Sequence, residues 1–113
     1  MKDDRLYLTH ILEATVKVIA YTQGGYDDFV HDAKTQDAVI RNFEIIGEAA
    51  RKVSNATKQS NAHLPWKAMI GLRNILIHDY AGVDFERVWD VIQNHLPKLQ
   101  SSVAVLLRSY PSQ

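Results

Sequence analysis

Residues 37–53 read DAVIRNFEIIGEAARKV, and the spacing within this stretch decides the fold class. Val39, Ile40, Phe43, Ile46, Ala50 and Val53 recur every three or four positions, the period of an α-helix with one apolar face. Glu44 and Glu48, four apart, share another face. Thr35 is the expected N-cap, with Asp37 in the first turn. Nowhere does the chain alternate cleanly at period two, so the pattern speaks against a sheet.

The same period extends outward in both directions. Upstream, Leu8, Ile11, Leu12, Thr15, Val18 and Ile19 share a face of a helix expected from about Asp4 to Gln23, which Gly24-Gly25 stops. Residues 27–32 read as a short turn or a single helical turn. Downstream, the polar stretch Ser54 to Asn61 reads as a loop. Pro65 suits the first turn of a third long helix with Trp66, Met69, Ile70, Leu72, Leu76 and Ile77 inward, closed by Asp79 to Gly82. Asp84 caps a fourth with Val88, Trp89 and Ile92. Pro97 has to kink the chain or open a new helix, which carries Leu99, Val103, Leu106 and Leu107. The expectation is an all-α, antiparallel bundle of four to five helices, one domain over 1–113.

Composition bounds the function. The chain has no cysteine, which excludes disulfides, thiolate zinc sites and a cysteine nucleophile and fits a reducing compartment. No apolar run is long enough for a membrane span, and the N-terminus is no signal peptide; the expected location is cytoplasmic. Thirteen basic residues balance thirteen acidic ones. Any nucleic-acid contact therefore needs a local concentration of cations.

The five histidines, His10, His31, His63, His78 and His95, form no pair at zinc- or di-iron-ligating spacing, so no metal and no cofactor is expected. Glu44 and Glu48 read as a solvated or ion-paired face. Residues 71–80, GLRNILIHDY, differ from the rest: Arg73, Asn74 and His78 interrupt an apolar helix that ends in Asp79-Tyr80. At 100° per residue, Asn74 and His78 share a face, whereas Arg73 and His78 stand about 140° apart. Bringing both to one phosphate takes arginine's long stem, an opening of the helix or a second protomer. The chemistry suits RNA. A guanidinium binds and stabilises a charged phosphate, and an imidazole exchanges the proton of a ribose 2′-hydroxyl. That hydroxyl is the nucleophile, so neither metal nor protein nucleophile is needed, and the product end is a 2′,3′-cyclic phosphate. Spacing alone is weak evidence, because Arg5 and His10 have it too. The second copy is richer, with a polar residue after the arginine and a tyrosine two after the histidine.

Residues 73–80, Arg-x4-His-x-Tyr, resemble the signature of HepT-type toxins of the HEPN superfamily. So do the stretch 37–49, Leu64-Pro65-Trp66, Val88-Trp89 and Leu96-Pro97, so that the resemblance covers nearly the whole chain. It implies a HEPN bundle and the toxin of a type VII-like toxin–antitoxin system: a ribonuclease and homodimer with its cleft near the two-fold axis. It also implies a partner, a minimal nucleotidyltransferase antitoxin of the MntA kind. Carried over by position, Arg73 and His78 are catalytic, Asn74 supports them, and Tyr80 receives AMP. The alternative is a catalytically silent module that binds the nucleotidyltransferase, and a third reading makes Arg73 and His78 structural, one paired with Asp79 or Glu48 and the other capping a helix C-terminus.

Overall fold

The computed structural model describes residues 2–77 and 82–110, apart from the side chains of Lys2, Leu76 and Ile77. Those residues form helices and no strand: α1 (Lys2–Tyr21), α2 (Tyr26–Val30), α3 (Ala33–Lys52), α4 (Asn55–Ser60), α5 (Trp66–Ile77), α6 (Phe85–Asn94) and α7 (Leu96–Arg108). Five are long and two short, the all-α helical bundle that the periodicity predicts. None of the described helices is long and apolar enough to cross a membrane.

The predicted faces are the buried ones. Leu8, Ile11 and Val18 of α1 meet Val39, Phe43, Ile46 and Ala50 of α3, and Met69, Leu72, Val88, Ile92, Leu99 and Val103 complete one core. Each large aliphatic or aromatic side chain withdrawn from water in this way contributes about 1.5–3 kcal/mol before conformational entropy is subtracted. α3 packs against both α1 and α5, and α7 lies along α1. The start of α1 meets the segment just after α3 through Asp4 and Ser54, and it meets the end of α7 through Arg5 and the Tyr110 carbonyl. Both pairs of helices are therefore antiparallel.

The boundaries differ from expectation where polar side chains compete for backbone groups. Asp32, not Thr35, caps α3: its carboxylate accepts from the backbone N–H of Lys34 and Thr35, and the Thr35 hydroxyl donates to the same carboxylate. Ser54 to Asn61 is not a loop. Ser54 caps α4 by accepting from the Thr57 N–H, and Thr57 is buried. The segment around Asp27 is the five-residue α2, which drives Phe29 into the core, stacked on Trp89 at 5.6 Å and edge-on to Phe85. Gly25, with φ of 96°, supplies the left-handed turn before it. Pro97 opens α7, as its missing N–H requires, and Asp84 caps α6.

A buried polar knot closes one end of the bundle. Asp4, only 2% exposed, accepts from the Ser54 N–H at 2.9 Å, the Ser54 hydroxyl at 2.6 Å and the Thr57 hydroxyl at 2.6 Å. The Thr57 and Tyr110 hydroxyls lie 2.6 Å apart. Burial pushes the Asp4 carboxyl up, but the hydrogen bonds from Ser54 and Thr57 outweigh it and hold the group below the usual aspartate range.

Candidate active site

Arg73 lies inside α5, where the sequence places it, and its position follows from a glycine. A methyl group on Gly47 of α3 would stand 3.3 Å from the Met69 carbonyl and 3.4 Å from that of Ile70, with the Arg73 Cβ at 3.8 Å. Any side chain at this position would press on those carbonyls and push α3 and α5 apart by a few tenths of an ångström, so the glycine lets the base of Arg73 sit against α3. From there the side chain reaches an open groove between α1 and α3 with a volume of about 570 Å³.

Each helix contributes one stripe to the groove. From α1 come Tyr7, His10, Glu13 and Lys17; from α3 come Arg41, Glu44, Glu48 and Lys52. The antiparallel packing sets Tyr7 beside Lys52, whose ammonium lies 5.8 Å from the ring centre. Lys17 and Arg41 accordingly mark the opposite end, and Arg73 enters between.

Glu48 organises the charges near Arg73. It accepts from Arg51 at 2.7 Å and lies 3.7 Å from Lys52. The Arg51 hydrogen bond, with the charges of Arg51, Lys52 and Arg73, holds its carboxyl below the usual glutamate range. Glu48 is thus on an ion-paired face, as its spacing suggests. Arg73 feels this field but makes no hydrogen bond or ion pair with any described residue. A structural pairing of Arg73 with Glu48 is therefore not formed.

Asn74 is exposed on α5 beside Arg73. His78, Asp79 and Tyr80 lie outside the described residues. The competing pair resolves clearly: Arg5 donates to the carbonyls of Tyr110 at 2.6 Å and Leu107 at 3.5 Å and ties α1 to the end of α7. His10 is exposed, as a surface histidine should be, yet it lines the Arg73 groove. Neither His10 nor the cations Lys17, Arg41 and Lys52 stands out in the sequence as part of a site. Their only signal is a polar stripe on each helix, which reads equally well as a solvated face.

Comparison with known proteins gives the family. The model of a family described as ribonuclease HepT-like matches residues 11–106. The chain belongs to the HepT-like ribonuclease family. A Methanocaldococcus jannaschii protein named as a candidate RNase is 39% identical over 93% of this chain and 97% of its own length. A Thermococcus cleftensis protein named a probable ribonuclease HepT is 40% identical over 83% of this chain and 86% of its own. The Shewanella oneidensis mRNA nuclease HepT is 26% identical over 84% and 90%. No solved structure matches. The bundle is thus a HEPN bundle of the HepT-like kind, and the family's activity is that of an RNase.

Proposed function

We propose that this protein is a toxin that cleaves RNA without a metal ion. The observation that carries this reading is Arg73: a cation with no partner among the described residues, seated by the Gly47 crossing at the edge of an open groove. A guanidinium so placed is available to bind a phosphate through two parallel hydrogen bonds and to stabilise the charge that develops on it. His78 takes the proton of the ribose 2′-hydroxyl, and Asn74, four residues before it in the sequence, orients the imidazole. The oxygen attacks the adjacent phosphorus, the bond to the 5′-oxygen breaks, and that oxygen regains a proton. The products are a 2′,3′-cyclic phosphate and a 5′-hydroxyl.

Arg73 and His78 diverge around a regular helix axis, and a homodimer that sets two copies of the motif at one cleft removes the difficulty. The control element is Tyr80. Adenylylation of its hydroxyl by an MntA-like nucleotidyltransferase antitoxin adds a phosphodiester that competes with substrate for Arg73. The whole chain acts as one domain in the cytoplasm, where RNA and such a partner are present.

The test is incubation of the purified protein with total RNA in EDTA, with analysis of the product ends. Cyclic phosphates are expected; cleavage that strictly needs a divalent ion overturns the mechanism. Co-expression with the nucleotidyltransferase should add AMP mass to the Tyr80 peptide and silence the wild type but not Tyr80→Phe. Equal silencing of both would make the control one of binding alone.

A further inference from the structure

Resting on the reading of Arg73 as the phosphate-binding group, we infer that the α1–α3 groove is the track for single-stranded RNA on either side of the scissile phosphate, with Lys17 and Arg41 holding one flank and Lys52 with Tyr7 the other. The overall charge of the chain is zero, so RNA affinity has to come from a place where cations converge. In this groove, cations stand at both ends and Arg73 enters between them. Along α3, Arg41 lies about 9 Å and Lys52 about 7.5 Å from Gly47, at 1.5 Å per residue. A strand whose phosphate sits on Arg73 therefore brings its neighbouring phosphates towards these two ends.

Among the described residues, little engages these cations beforehand. Lys17 and Arg41 make no hydrogen bond or ion pair with a described residue. Lys52 is held loosely, 3.7 Å from Glu48 and 5.8 Å from the Tyr7 ring centre. Glu48 has a shorter partner in Arg51 at 2.7 Å, so Lys52 can turn to a phosphate and leave the Tyr7 face open. An aromatic face beside a cationic track is the means by which proteins hold unpaired bases. Glu13, Glu44 and Glu48 line the same groove and repel phosphates from its walls. They accept hydrogen bonds only, so they favour the amino edges of splayed bases over a continuous backbone.

The test uses a short fluorescent 2′-O-methyl oligoribonucleotide, which has no free 2′-hydroxyl to attack, and follows anisotropy against salt. Wild type should bind with an affinity that falls steeply as salt rises. Lys17→Ala, Arg41→Ala and Lys52→Ala should each flatten the plot of log affinity against log salt by roughly 0.7 per lost phosphate contact. Tyr7→Leu should weaken binding roughly tenfold with little change of slope. On cleavable RNA the lysine and Arg41 variants should raise KM and spare kcat, whereas Arg73→Ala should lower kcat. Unchanged affinity and slope in the double variant Lys17→Ala/Arg41→Ala would overturn the track, and so would a change of oligomeric state in place of RNA affinity. If Arg73→Ala still cleaves while the groove variants lose affinity, the catalytic reading fails and the track stands.

Discussion

Two arginines in this chain sit five residues before a histidine, and the bundle gives them opposite surroundings. Arg5 is tied to the carbonyls of Leu107 and Tyr110, where its charge serves the closure of the α1–α7 pair. Arg73 makes no hydrogen bond to a carbonyl of any described residue; the Gly47 crossing brings α3 against its base, and its side chain lines a groove. Spacing along a helix does not decide what a cation does; the groups packed beside it do. A guanidinium already bound to backbone oxygens has little left for a phosphate, and one without a partner keeps all its donors.

The histidines sharpen the contrast most. His78→Ala should lower the rate of RNA cleavage by roughly a hundredfold or more, the range expected for a general acid–base group, without loss of the helical circular-dichroism signal. Wild-type cleavage should also fall as the pH drops and the base form of His78 is lost; a flat acid limb would show that another group takes the proton.

The next largest effect belongs to stability. Asp4→Ala leaves the Ser54 and Thr57 donors without their shared acceptor and should cost about 2–3 kcal/mol in a denaturant titration. Asp4 is held below its ordinary value in the folded chain, so its contribution is complete above about pH 4, the unfolded aspartate value. It is lost as the pH falls through the lower, folded value. Wild type should therefore lose stability in this acid range, and the Asp4→Ala protein should lose less of it. Parallel acid transitions in both would place the sensitive carboxylate elsewhere.

The smallest effect is expected at His10. It lines the groove from an exposed position, and His10→Ala should change kcat by less than about threefold, within the span of an ordinary surface substitution. A loss as deep as that of His78→Ala would make His10 a second proton carrier.

Much of the fold is legible in the sequence because burial imposes a period. Val39, Phe43, Ile46 and Ala50 fall on the inner face of α3 as their spacing demands. Pro97 and Asp84 mark helix starts, where a missing N–H and a free carboxylate are useful. The misreadings have one physical cause: several polar side chains nearby can satisfy the same backbone groups. Asp32 outcompetes Thr35 at a cap, and Ser54 turns an apparent loop into α4. Position within the site is legible only in part. Arg73 stands out because it breaks an apolar pattern, whereas Lys17, Arg41 and Lys52 lie on faces that would be polar with or without a function. Their meeting is a product of packing between α1 and α3, which no local pattern encodes.

The account rests on the division of labour between the two arginines, and one paired measurement addresses it: kcat on a defined RNA and melting temperature, for Arg73→Ala and Arg5→Ala side by side. Arg73→Ala should lose roughly a hundredfold or more in kcat and keep its melting temperature. Arg5→Ala should melt earlier, by an amount equivalent to about 1–3 kcal/mol, and keep kcat per folded molecule. Full cleavage by the Arg73→Ala protein, or a folded Arg5→Ala protein that no longer cleaves, would contradict it.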